Sequence, residues 1–363
     1  MGDATTISWT DATWNPIRGC SRVSEGCRNC YAERVAARFS DAGQAYEGLA
    51  DRTRKGSKWT GVVRLIPEHL ADPLRWKRPR RIFVNSMSDL FHEELDDEQI
   101  DLVFAAMLLA PHHTFQVLTK RAARMRAYLE NDDLYERVLH AADRFRRERP
   151  ELNQVGISNP ATSPARWIWL GVSVENQAAA DERIPELLRT PAAVRFLSCE
   201  PLIGPVDLER WTHRCSSCVC SSCPPGFDAD TAMGQRRLSW VIAGCESGPG
   251  ARACSVEWLR SLRDQCSSAG VAFFLKQAQE TALGECGDPE NPNGDTPCGQ
   301  RVTAYIVSPS TASYSCGCTV EGPEDGVGVP LGAGEGSKRK GGGVIELPYL
   351  DGVQHAAFPG ARL

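Results

Sequence analysis

The chain has 363 residues, 42% hydrophobic and 24% charged, which suits one large α/β domain with additions or two small domains. A net charge of −5 argues against indiscriminate polyanion binding, and with no secretory signal and no apolar run of membrane-spanning length the expectation is a cytoplasmic protein with no membrane partner. In that reducing compartment the 15 cysteines read as metal ligands sooner than as disulfides.

The first informative stretch is Gly19 to Tyr31, where Cys20, Cys27 and Cys30 follow a C-x6-C-x2-C spacing. Two thiols three positions apart turn toward one metal, and Gly19 and Gly26 let the backbone wrap closely enough for the third to join them. Three thiolates rather than four leave one position of a bound four-iron cluster open to a substrate or cofactor, as a catalytic zinc keeps one open. The bland alternative is a structural zinc site or buried free thiols. Ala32, Val35, Ala36 and Phe39 recur at helical spacing, so the loop leads into an amphipathic helix over 31–40.

Residues 52–81 carry ten Lys and Arg, with Trp59 and Trp76 among them. This composition suits a nucleic-acid or nucleotide partner whose phosphates meet the cations and whose base stacks on an indole, or else an ordinary solvated surface with core tryptophans. A helix from Pro67 to Trp76 precedes a short buried strand, Arg81 to Asn85, and a helix from Asp96 to Leu109 follows it. Strands at 114–118, 168–172, 194–197, 240–243 and 271–275 continue the rhythm, with helices at 121–129, 177–188 and 256–267. Continuous apolar strands that alternate with helices predict a parallel sheet, in a full or partial TIM-like (β/α) barrel. A doubly wound open sheet shares the alternation, but the first strand lacks its glycine-rich phosphate fingerprint.

Parallel α/β folds build sites just past their strands. The polar residues there are Asn85, Ser86, Ser88 and Asp89; Thr119, Lys120 and Arg121; Ser173, Glu175 and Asn176; Ser198, Cys199 and Glu200; Gly244, Cys245, Glu246 and Ser247; Lys276 and Gln277. Any one alone is an ordinary cap or loop hydrogen-bonder; as a set they mark a site. A second cysteine group, Cys215, Cys218, Cys220 and Cys223, falls in an insertion at about 212–236 and suits a structural zinc or an auxiliary iron-sulfur cluster. Cys286, Cys298, Cys316 and Cys318 form a sparser third set that could complete another zinc site. The barrel is therefore expected over 1–277, and 278–363 as an irregular Gly/Pro-rich region whose last segment packs back on it.

Trp14-Asn15-Pro16, Gly19-Cys20, Gly26-Cys27 and Asn29-Cys30-Tyr31-Ala32 resemble the cluster loop of radical SAM enzymes, distantly that of spore photoproduct lyase. The whole chain resembles the phage Gp37/Gp68 family, whose members are radical-SAM-like. The usual loop has three residues between its first two cysteines and this one has six. The resemblance implies a radical-SAM-type barrel with a [4Fe-4S] cluster on Cys20, Cys27 and Cys30, cleaving S-adenosylmethionine with electrons from a donor such as flavodoxin or ferredoxin. It further implies that Ser86, Ser88 and Asp89 meet the methionyl amino group, Ser173 and Glu175 the ribose, and the strand bearing Gly244 and Glu246 the adenine. A nucleic acid or nucleotide is then the expected substrate. The competing expectation is a non-catalytic, zinc-stabilised nucleic-acid-binding protein.

Overall fold

A computed structural model of the protein describes residues 5–54, 56–212, 237–248 and 250–279, short strands between 304 and 354, and residues 355–359. The second cysteine group and Cys286, Cys298, Cys316 and Cys318 lie outside the described residues. The fold is mixed α/β and divides into two compact units, the first formed by residues 5–174, 178–198 and 237–239 and the second by 175–177 and the described residues of 199–212 and 240–359.

In chain order the first unit contains β1 (Ala12–Trp14), β2 (Ile17–Arg18), α1 (Tyr31–Arg38), the hairpin β3 (Ala50–Thr53) and β4 (Gly56–Trp59), and β5 (Arg64–Leu65). Two short helices follow, α2 (Pro67–Leu70) and α3 (Asp72–Arg75), then β6 (Arg81–Val84), α4 (Asp97–Leu108), β7 (Thr114–Thr119), α5 (Ala122–Leu129), α6 (Leu134–Glu148), β8 (Ile168–Ser173), and all but the first residue of α7 (Gln177–Arg189) and the last of β9 (Val194–Cys199). Five strands run parallel in the order β1-β6-β7-β8-β9, with Ile82 paired to both Ala12 and Phe115. Their nearly unbroken apolar sequences fit a sheet buried on both faces. Gly171 in mid-β8 has a steric reason, because a Cβ there would stand 2.6 Å from the Phe196 ring of β9.

α4 starts where the chain supplies a cap: Asp96 accepts from Gln99 N at 2.8 Å while the Gln99 side chain accepts from Asp96 N at 3.2 Å, a reciprocal box. The buried side of α4 then meets α5 through Phe104 and Tyr128, whose ring centroids are 5.2 Å apart, and the Tyr128 hydroxyl donates to Asp101. Behind α3, His113 is 2% exposed; its Nε2 donates to Pro73 O at 3.1 Å, and its Nδ1 has no partner among the described residues. Burial first, then the neighbouring His112, pushes its pKa down from 6.5 to about 4. As pH falls the unfolded chain therefore takes up this proton first, so stability present above 6.5 is lost progressively toward 4, by about 3 kcal/mol. Denaturant titrations at pH 7 and pH 4 should show that loss in the wild type and a clearly smaller one in His113→Gln; equal losses would remove His113 as the acid-sensitive group.

The second unit contains α8 (Glu209–Thr212), the parallel pair β10 (Trp240–Gly244) and β11 (Ala272–Gln279), and α9 (Val256–Ala269) between them. Ser255 caps the start of α9 and Gly270, with φ 66°, ends it in the left-handed conformation. The region expected to be irregular contains antiparallel strands among its described residues: β12 (Ala304–Ser308), β13 (Thr311–Tyr314) and β14 (Thr319–Glu321) form one sheet. A hairpin of β15 (Lys338–Lys340) and β16 (Val344–Glu346) extends β11. Short runs such as Tyr305-Ile306-Val307 have β-forming side chains that the surrounding Gly and Pro mask in composition. The tail runs along β11: Leu275 N donates to His355 O, Ala357 N to Phe273 O, and Phe358 lies 5.2 Å from Trp240. In each unit parallel strands alternate with helices, five strands in the first and a pair in the second, a β/α pattern compatible with a partial TIM-like barrel. No helix among the described residues is long and apolar enough to cross a membrane.

Candidate metal centre

Cys20, Cys27 and Cys30 sit on a loop stitched to the C-terminal end of β6. Ile17 N donates to Asn85 Oδ1 at 3.3 Å, Ser86 Oγ and Met87 N both donate to Asn15 Oδ1 at 3.1 Å, and Ser88 Oγ donates to Ile17 O at 2.9 Å. Gly19 and Ser88 form an isolated parallel bridge, which places Cys20 one residue past the stitching. Cys27 closes a 3-10 turn over Glu25–Cys27, and Cys30 is the residue that caps α1. Cys20 and Cys30 pack against a small core of Ala32, Ala36, Met87 and Trp59, and the Tyr31 hydroxyl donates to Ser86 O at 2.7 Å.

All three thiols are free and half-buried, and lie close enough for their charges to interact. Burial pushes the Cys20 thiol up to about 12, opposed in part by Arg121, and pushes Cys30 up as well. Among the described residues no group of three or more His, Cys, Asp or Glu side chains stands ready to hold a metal, so a metal would have to draw the thiols together. The donor set fits an iron-sulfur cluster in kind: three unbridged sulfurs, no competing disulfide, and Arg121 and Lys120 near enough to offset thiolate charge.

A buried polar network supports the loop. Asp89, 6% exposed, accepts from Phe91 N, the Thr119 hydroxyl (2.7 Å), Lys120 N and Arg121 Nη1 (both 3.1 Å). Those four donors occupy both carboxylate oxygens. Arg121 continues to Glu93 at 2.8 Å and to Ser21 Oγ at 2.8 Å, and Ser21 Oγ also meets His92 Nε2 at 2.8 Å. Because Glu94 N donates to His92 Nδ1, the neutral ring carries its proton on Nε2, and burial followed by Arg121 lowers its pKa. Arg22 reaches Glu33, 1% exposed on α1, through two hydrogen bonds. Ser21, Glu33 and Glu93 belong to no motif, so nothing in the sequence alone marks them.

Of the other expected site residues, Ser173 is buried at the end of β8, with its carbonyl accepting from Arg183 at 2.8 Å. Glu175, Gly244 and Glu246 belong to the second unit. Glu175 is 1% exposed, and Glu246 accepts from the Arg252 backbone and guanidinium. Gly244 leaves room beside Gln277, whose Nε2 donates to Cys245 O and Glu200; Lys276 pairs with the same Glu200 oxygen at 2.6 Å.

The basic segment divides. Trp59 is 6% exposed in the core under α1, and Trp76 is half-buried between His113 and the guanidinium of Arg80. Arg52, Arg75 and Arg81 pair with Asp41, Asp72 and Asp11. Arg54, Lys58, Lys77 and Arg78 are exposed, without a partner among the described residues.

These features define an α/β protein with a three-cysteine loop at the end of a parallel strand. The chain belongs to a family of proteins of unknown function, DUF5131, whose model matches residues 4–339. No curated protein and no solved structure matches it.

Proposed function

We propose that the protein is a radical SAM enzyme in which Cys20, Cys27 and Cys30 hold a [4Fe-4S] cluster and a nucleic acid or nucleotide is the substrate. The observation that carries the reading is the gathering of three free thiols on one loop stitched to the end of β6. Such a cluster, when bound, supplies the electron that cleaves S-adenosylmethionine to a 5′-deoxyadenosyl radical. The chain's own part is to place and shield that chemistry. Ser86 and Ser88 already donate their hydroxyl protons to Asn15 and Ile17, so their oxygens keep lone pairs for a methionyl ammonium. Asp89, saturated by internal donors, acts on the loop through Arg121 and Ser21 and not by touching the ligand.

Anaerobic reconstitution tests the reading. The wild type should gain about four irons at this loop, and Cys27→Ala should load far less. Equal loading by Cys27→Ala, or zinc without iron in anaerobically purified protein, would sink it and favour the zinc-stabilised binding protein.

With Trp59 buried and Trp76 flanked by His113 and Arg80, substrate contact rests on phosphates and not on stacking. Four exposed cations predict that affinity for a DNA or RNA oligonucleotide falls about a hundredfold between 50 and 200 mM salt. Trp76→Leu should leave that affinity unchanged. Binding that is absent, or indifferent to salt, would leave a small molecule or peptide as the substrate.

A further inference from the structure

Asn85 is the one residue other than glycine with a positive φ, 59°, among the described residues, and it stands at the end of β6 where the cysteine loop is stitched on. It is 2% exposed. Its Oδ1 accepts from Ile17 N, which fixes the orientation of the amide, and its Nδ2 is buried with no partner among the described residues. A left-handed backbone and an unmet buried donor each cost free energy, and their coincidence on one residue points to a group that the protein binds.

A second unmet group lies at the neighbouring strand end. Lys120 directly follows β7, the parallel neighbour of β6, and its backbone N–H is fixed on Asp89 at 3.1 Å. Lys120 is half-buried as a residue, its ammonium has no partner among the described residues, and its charge acts on Cys30. A neutral amide donor and an unpaired ammonium at adjacent strand ends share one complement, an anionic oxygen group.

We infer that Asn85 Nδ2 and Lys120 Nζ form an anion subsite beside the cysteine loop, for a carboxylate or phosphate of the bound ligand. The subsite rests on these two unmet donors and not on the iron-sulfur reading. If that reading holds, the carboxylate of the methionyl arm is one source of the anion; a substrate phosphate is the other.

The test is calorimetric titration of the anaerobically reconstituted full chain with S-adenosylmethionine, adenosine 5′-monophosphate and 5′-methylthioadenosine, which carries neither anion. Asn85→Gly keeps the left-handed backbone and removes the amide, and Lys120→Met keeps the stem and removes the charge. Each variant should weaken the anionic ligand about tenfold or more and leave methylthioadenosine unchanged. Weakening confined to S-adenosylmethionine assigns the carboxylate, and weakening confined to the monophosphate assigns a phosphate. Wild-type protein that takes up no iron yet binds the monophosphate through both residues would remove the iron-sulfur reading and keep the subsite. Protein that loads iron and binds S-adenosylmethionine equally well in both variants would remove the subsite and keep the reading. Failure of the wild type to bind either anion, or an Asn85→Gly effect on melting alone with Lys120→Met unchanged, overturns the subsite and leaves Asn85 as the partner of a structural water.

Discussion

Asp89→Ala should cost about 3–5 kcal/mol of stability, read as a fall of roughly 10 °C in melting temperature, whereas Glu93→Ala should cost less than about 1 kcal/mol. Both side chains contact Arg121, and the difference lies in burial. Asp89 has a 9% exposed side chain and Glu93 a 61% exposed one, facing a guanidinium that is itself 4% exposed. Removing Asp89 strands two backbone N–H groups, the Thr119 hydroxyl and one arm of a buried cation. Removing Glu93 lets water replace the carboxylate. The energy lost with Asp89 also bears on the cysteine loop, since Arg121 reaches Ser21 beside Cys20. Asp89→Ala should therefore slow cluster loading even at temperatures where the variant stays folded. Melting within 1 kcal/mol of wild type would show that the network relaxes around the gap and does not hold the loop.

The larger elements were legible because they depend on local pattern. Apolar runs such as Ile82-Phe83-Val84 and Trp240-Val241-Ile242 are strands in the structure within a residue or two of their expected limits. β1 has three residues and gains its identity only from pairing with β6, so no local pattern marks it. α6 does carry a local pattern, Leu134, Val138, Ala142 and Phe145 at helical spacing on its buried side, and is absent from the expected elements. At the site, the cysteine spacing was readable and the supporting network was not. Arg121 and Ser21 are 100 residues apart, and nothing local to either foretells their hydrogen bond. Tryptophan burial was legible only as one of two alternatives: Trp59 lies in a strongly basic stretch, and it is the alternation of β4 that turns it into the core beneath α1 while Lys58 stays exposed. Asn85 looked like one polar strand-end residue among many, and only its backbone conformation and its unmet amide set it apart.

Gly19→Ala should be the most damaging single-methyl change in the first unit, costing about 3 kcal/mol or more and abolishing iron uptake by the loop. Two independent terms act there. Gly19 has φ +92°, a conformation that penalises any L side chain, and its Cβ would run into the carbonyl oxygen of Val62. That oxygen is backbone, so no rotamer change relieves the contact. Gly43 separates the terms, because it has φ +77° with nothing within 4 Å of a Cβ. Gly43→Ala should therefore show the conformational penalty alone, about 1–2 kcal/mol, with normal iron uptake. At Gly19 the chain is also held by the bridge to Ser88, one residue before Cys20. Relief of the clash must shift either the backbone at Val62 or Gly19 itself, and a shift of Gly19 carries Cys20 with it. Thermal melts and iron counts on the two variants decide the matter: equal losses in both would reduce Gly19 to ordinary backbone strain, and normal iron uptake by Gly19→Ala would show that the position of Cys20 does not depend on this close approach.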